Sequence, residues 1–395
     1  MLYNRVTMLL SLALMMLIGF MLAGICQQLK LPRLIGYLLT GILLGPFMLN
    51  VISDDIFLIS TDLRYIALVI ILLRAGLSLD VKSLKQRQKE VLLLSLIPAS
   101  FEILAAVILG PILFDLTFLE SLLIGSVLAA VSPAVIVPEM LEMMKKEEGT
   151  TRSIPQLIMA SASLDDIYVI VLFSMFLTLS LGHTTSLLPI VELPLSLLLG
   201  IGVGILIGVV LPVMFKKIHI RDTFKVLWIL AIGLLLIYIE RDTTLPFSGL
   251  IAVLAVGMTL LAQNPILSKR LSLKYEKIWL FAELILFVLI GAALEFTYVE
   301  TYLMNGLFMI LGLVIFRSIG VFVSLSVSKT TLKEKLFIMV AFIPKATVQA
   351  SIAAIPLSLG ITSGSLILTV AVIVILVTAP LGSSLIRYTK HHLIK

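Results

Sequence analysis

Along the chain, runs of roughly twenty apolar residues alternate with short polar segments that hold most of the charge. A helix needs about 20 apolar residues to cross ~30 Å of hydrocarbon. The pattern therefore predicts thirteen helical spans, near residues 7–28, 32–48, 62–79, 91–112, 119–141, 155–181, 188–214, 223–239, 246–263, 277–295, 303–327, 334–357 and 362–386. No stretch long enough for a soluble domain lies between them. The first run is read as a span and not as a cleaved leader, because Ile25 fills the small-residue position that a lipoprotein site needs before Cys26.

Two runs are interrupted in the middle. Ser132-Pro133 sits inside "AAVSPAVIVP" and Pro344-Lys345 inside "AFIPKATVQA", with the two prolines 211 residues apart. Leu31-Pro32 with Gly36 is echoed by Leu245-Pro246 with Gly249, and "LLRAGLSLD" at 72–80 by "VLIGAALEF" at 288–296. Each pairing spans seven helices, and an odd number turns the second copy upside down. The expected fold is an all-α polytopic membrane protein of about 13 transmembrane helices, built as two inverted six-helix repeats with crossed broken helices. That is the architecture of secondary transporters, with the binding site where the breaks meet near the midplane.

Composition agrees with the pattern: 60% of residues are hydrophobic and 13% charged, against about 45–50% and 25% in soluble chains. The net charge of +6 does not point to nucleic acid, because the basic residues are dispersed among the short segments. Of the 29 Lys and Arg, 23 fall after odd-numbered spans or in the tail. Short cytoplasmic loops carry such an excess, so the chain is expected to be multi-pass in the cell (plasma or inner) membrane, C-terminus cytoplasmic and N-terminus outside. Cys26 is the only cysteine, and neither a Walker loop nor a Gly-rich dinucleotide fingerprint occurs. Neither enzymatic activity nor a cofactor is expected. His219, in a basic loop, is a solvated residue first and a pH sensor second.

Seven charges fall well inside the apolar runs, away from their ends: Arg74, Glu102, Asp165, Asp166, Glu283, Arg317 and Lys345. A charge at the bilayer centre costs about 2.5–3.5 kcal/mol even on insertion scales, so such residues are usually paired or functional. Asp165 and Asp166 stand mid-span in "ASLDD". Burial and mutual repulsion favour the protonated carboxyl, whereas a bound cation favours the ionised one; a monovalent cation and a proton thus compete for the same oxygen. Glu102 and Arg317 each follow a phenylalanine and occupy near-equivalent places in the two repeats. They are expected to form a buried ion pair, either purely structural or one in which Arg317 alternates between Glu102 and Asp165. Lys345 at the second break is expected to neutralise carbonyls freed by the interruption. At the first break, Pro133 leaves Ser132 and nearby carbonyls as candidate cation ligands. Arg74 is near enough to its span's end to snorkel, and Glu283 has no assigned role.

These residues resemble a family, the monovalent cation:proton antiporters. "LPRLIGYLLTGILLGP" at 31–46, Ser132-Pro133, "ASLDD" at 162–166 and "PKATVQAS" at 344–351 stand in that family's order over essentially the whole chain. The likeness is to its two-aspartate branch, and "LLRAGLSLD" with "PKATVQAS" looks most like the NHA-type sodium/proton antiporters. The resemblance implies a homodimer in the lipid bilayer, moving a core against a static panel in elevator-type alternating access. It implies panel or dimerisation helices at 1–90 and 218–300, core helices at 91–182 and 301–395 with a short cytoplasmic tail, and a connecting helix at 183–217. It further implies Na+ at Asp165 and Asp166, with Asp166 the main carrier. The transported ions would be Na+ or Li+ and H+. Many two-aspartate relatives have lysine where this chain has Arg317; arginine does not deprotonate, so their stoichiometry does not carry over. A K+/H+ antiporter, or a Kef-like K+ efflux protein without its regulatory domain, is the alternative. A cation channel or a sodium-coupled organic anion symporter is a weaker one.

Overall fold

The computed structural model describes residues 7–78, 87–149, 153–181, 188–218, 220–243, 245 and 247–394, and of 188–194 the backbone alone. Asp80, His219 and Pro246, which figure in the sequence reading, lie outside the described residues. All regular structure among the described residues is helical. Each predicted apolar run falls on a helix or on helices flanking a break, but the boundaries move. The run at 277–295 is the latter part of a helix that already begins at Pro265, and the run at 303–327 extends back to Phe296. Eight segments among the described residues are long and apolar enough to cross a membrane, and three shorter apolar helices accompany them.

The chain divides into two compact units. The first holds α1 (Met8–Gln28), α2 (Arg33–Leu44), α3 (Asp54–Leu58), α5 (Gln88–Phe114), α6 (Phe118–Ala129), α7 (Pro133–Lys145), α13 (Phe296–Ser324), α14 (Leu332–Ala341), α15 (Thr347–Ala353), α16 (Ile355–Ser358) and α17 (Gly364–Leu393). It also takes the first part of α8 (Ile154–Leu181) and the end of α12 (Pro265–Ala292). The second unit holds nearly all of α4 (Ser60–Ser78), the rest of α8 and α12, α9 (Leu188–Ile218), α10 (Asp222–Asp242) and α11 (Gly249–Gln263).

In the first unit α5 and α13 pack side by side and antiparallel. Ser324 donates to the Leu93 carbonyl (3.0 Å) and Asn305 to the Leu113 carbonyl (2.6 Å), and Gly320 lies against Pro98. This register puts Glu102 opposite Arg317. Both broken helices begin in the same way, with a capping box: Thr117 with Glu120 on α6 and Thr331 with Glu334 on α14. Each satisfies two orphan amides and fixes where its half-helix starts.

The breaks follow from proline. Pro133 has no N–H and its ring clashes with the carbonyl four residues back, so α6 stops at Ala129 and Ser132 is extended. Pro133 then opens α7, where its fixed φ suits the first helical position. Pro344 likewise lies between α14 and α15, but α15 opens three residues after it, at Thr347. The two interruptions meet: the Ser132 amide, which has no intrahelical acceptor, donates to the Pro344 carbonyl at 2.9 Å. The far end of α7 is tied to α17 by Lys390, whose Nζ lies 3.1 Å from both Glu139 and Glu142.

Close helix packing gives a direct test. A Cβ on Gly41 of α2 would collide with the Val288 carbonyl of α12, whereas one on Gly24 of α1 would meet nothing within 4 Å. Overpacking of this kind costs about 1–3 kcal/mol. Gly41→Ala should therefore lower the melting temperature in detergent, and Gly24→Ala should leave it unchanged or raise it. Equal effects would show that this contact is not as close as described.

Candidate functional site

Five charged side chains converge at the crossed breaks, all within the first unit. Glu102 comes from α5, Asp165 and Asp166 from α8, Arg317 from α13 and Lys345 from the second break. Burial is nearly complete: Asp165 is 0% exposed, Asp166 5%, and Arg317 and Lys345 2% each.

The cations share acceptors. Arg317 Nη1 donates to Glu102 Oε2 and to the Ala129 carbonyl. Lys345 Nζ donates to the same two atoms, at 2.6 and 2.9 Å. Arg317 Nη2 reaches Asp165 Oδ1 at 2.8 Å. Arg317 thus bridges Glu102 and Asp165 together, and its guanidinium lies 5.3 Å from the centre of the Phe342 ring. The Lys345 amide is held at 3.2 Å by Thr378 Oγ1 on α17. Beside the pair lies a cavity of about 10 Å³, the size of a single water. Glu102 and Arg317 line it, and Glu102 Oε1 and Arg317 Nε have no partner among the described residues.

At the end of α6 the carbonyls of 128–130 are met from outside the helix. Gln349 Nε2 donates to the Leu128 and Ala130 carbonyls, both at 2.9 Å, and Ala129 is taken by the two cations. The sequence reading offered freed carbonyls at this break to a cation; those of 128–130 are already engaged, because an amide and two charged groups satisfy the negative end of the helix first. Gln349 and Thr378 were not singled out from sequence. A glutamine inside the quoted "PKATVQAS" and a threonine in the apolar run of α17 were the available signals.

The two aspartates have opposite surroundings. Neighbours on a helix point about 100° apart, and of the two Asp165 is the one hydrogen-bonded to the break. Its Oδ2 accepts the Val131 amide at 2.9 Å while Oδ1 holds Arg317, so both oxygens are engaged. Asp166 has no hydrogen bond or ion pair among the described residues, and its Oδ1 is buried without a partner. It lies within electrostatic reach of Asp165, Arg317 and Lys345. Ser132 occupies the N-cap position of α7 yet makes no side-chain cap, and its buried hydroxyl is also unpartnered. Pro133 and Pro344 contribute the interruptions themselves.

Arg74 and Glu283 both belong to the second unit, and neither is among the five charged residues at the crossed breaks.

Residues 12–390 match the family described as sodium/hydrogen exchanger, transmembrane. The chain is similar to the sodium/hydrogen exchanger 9B2 of Homo sapiens, with 32% identity over 376 residues, covering 90% of this chain and 68% of that protein. The 9B2 protein of Xenopus tropicalis is 33% identical over 372 residues, covering 89% and 68%. Among solved structures, the sodium proton antiporter MjNhaP1 of Methanocaldococcus jannaschii at pH 8 superposes with a TM-score of 0.81 at 25% identity, covering 97% of each chain.

Shared acceptors couple the charged residues. Removing one partner of a buried pair costs about 3–5 kcal/mol, so Glu102→Gln and Lys345→Met should each lower the melting temperature strongly. The double variant should lose less than the sum. Strictly additive losses in thermal unfolding would mean that the two side chains do not interact.

Proposed function

This chain belongs to the transmembrane sodium/hydrogen exchanger family, and from that premise we propose that it exchanges Na+ or Li+ for H+ at the Asp166 carboxylate. Cation/proton antiport across a membrane comes with the family and with the Na+/H+ antiporter fold. The choice of carrier rests on one observation: of the three acids in the cluster, Asp166 alone has no partner among the described residues.

Charge counting supports the exchange. Glu102, Asp165 and Asp166 bring three negative charges against two positive ones from Arg317 and Lys345. In a low-dielectric site an uncompensated charge is expensive. One proton on Asp166 restores neutrality, and so does one monovalent cation bound to it. Proton and cation therefore replace each other one for one. Arg317 keeps its charge at every accessible pH, and Lys345 is held between Glu102 and a carbonyl, compensating the helix end and not carrying protons. Ser132 Oγ is the proposed second ligand to Na+. Asp165, adjacent to the ion and fixed by Val131 and Arg317, supplies field and alignment.

On this reading the core is residues 91–182 and 301–395, moving against the panel helices at 1–90 and 218–300, with 183–217 as connector. The chain works as a homodimer in alternating access of the elevator type, in the cell membrane, with its C-terminus cytoplasmic and N-terminus outside. The meeting of the breaks and the matching capping boxes of α6 and α14 favour two repeats, and the thirteen apolar runs favour their inversion and thirteen crossings.

Proteoliposomes with an imposed sodium gradient test both parts. Asp166→Asn should reduce proton movement to the level of empty vesicles; wild-type transport by this variant would remove Asp166 as the carrier. For the unmodified protein, initial rates should be the same with the membrane potential clamped at zero or set negative. A rate that follows the potential would refute one-for-one exchange.

A further inference from the structure

The carbonyls of 128–130 are met by three side chains, two of them charged and one neutral. On the footing of exchange at Asp166, we propose that the neutral one, Gln349, is a positioning residue for the transported cation. Its side-chain amide aims the end of α6 at the ion-pair cluster and adds no charge in doing so.

Gln349 stands in the first turn of α15, which packs against α6, and is completely buried. Its Nε2 lies 2.9 Å from the Leu128 carbonyl and 2.9 Å from the Ala130 carbonyl. An amide nitrogen carries two hydrogens, so both are used. The two bonds bracket the Ala129 carbonyl, which takes Arg317 and Lys345. The second bond reaches further. The Ala130 carbonyl and the Val131 N–H belong to one planar trans peptide and point in opposite directions. A donor fixed on the carbonyl therefore aims the N–H, and that N–H donates to Asp165 Oδ2 at 2.9 Å. Asp165 in turn holds Arg317 and is the immediate neighbour of Asp166. Gln349 Oε1 is buried without a partner among the described residues, so the side chain is held by its donors.

Chemistry narrows the choice of side chain at this position. Asparagine and glutamine are the neutral side chains with two hydrogens on one nitrogen, and asparagine is a methylene shorter. Lysine could meet both carbonyls, but its charge would alter the balance. The cluster holds one acid more than it has bases, and that excess is what a proton or Na+ neutralises. An ammonium at 349 would neutralise it permanently. A neutral double donor closes the end of α6 and leaves the excess to the transported ion.

Proteoliposomes of the full chain give KM for Na+ and the maximal rate of proton movement, and the purified protein in detergent gives the melting temperature. Groups that orient an ion's ligands without touching the ion change affinity by about 10–100-fold. Gln349→Met, which keeps the length and removes both donors, should therefore raise KM for Na+ about tenfold. Gln349→Asn, with its donors a methylene short, should raise it less, and carries the comparison if the Met variant folds poorly. Ser351→Ala removes an equally buried group that donates to Thr347 of its own helix, and should leave KM unchanged. Gln349→Lys should fold and lose sodium-driven proton movement. A lower melting temperature or maximal rate in Gln349→Met and Gln349→Asn with KM unchanged would reduce Gln349 to packing and overturn the proposal. An equal rise of KM in Ser351→Ala would do the same. Wild-type Na+ affinity in Gln349→Lys, or its failure to fold, would show that charge is not what selects glutamine. Failure of the exchange reading shows elsewhere: wild-type transport by Asp166→Asn removes the carrier, whereas an inactive Asp166→Asn beside an unchanged KM in Gln349→Met removes the role of Gln349 alone.

Discussion

Two atoms hold the centre of this protein together: a carboxylate oxygen of Glu102 and the carbonyl oxygen of Ala129. Arg317 and Lys345 both donate to both of them. An ion pair buried in an apolar medium gains little net stability because each charge must first leave water. Here the desolvation is shared. Each acceptor meets two donors, and each cation meets one full and one partial negative charge there, with Asp165 a second full one for Arg317. The helix end is part of the ion-pair network, so the broken helix and the charges stabilise each other.

That arrangement explains why the interruption of α6 persists in a setting where unpaired backbone is costly. A break must satisfy the groups it frees. The carbonyls of 128–130 receive an amide, a guanidinium and an ammonium, the Val131 amide receives Asp165, and the Ser132 amide receives the Pro344 carbonyl. With backbone and two acids so occupied, the Asp166 carboxylate and the Ser132 hydroxyl remain unpartnered among the described residues. A site that binds and releases an ion needs such oxygens, rigidly surrounded but not themselves bound.

Much of this was legible in the sequence because charge is rare in an apolar run. Glu102, Arg317, Asp165, Asp166 and Lys345 could be picked out by scarcity, and the prolines marked both interruptions. The facing of Glu102 and Arg317 followed from their matched places in the two halves, and the α5–α13 register sets them opposite. Three features were not legible. Which of the two neighbouring aspartates is held by Arg317 and the Val131 amide cannot be read from spacing, although the resemblance implied Asp166 as the main carrier. Gln349 and Thr378 are neutral and were lost among other polar residues. The start of α12 at Pro265 was hidden by the charges of its first turns, which break the apolar pattern without breaking the helix.

The sharing of acceptors has a consequence for biogenesis. Glu102 and Asp165 find their counter-charges 215, 243 and 152 residues further along the chain, at Arg317 and Lys345. Chains are made from the N-terminus at about 5–20 residues per second, so the acids of the first half are synthesised well before any partner exists. In that interval no counter-charge is available to them, and water has to take its place. The centre of the protein can therefore close only once both halves have been made.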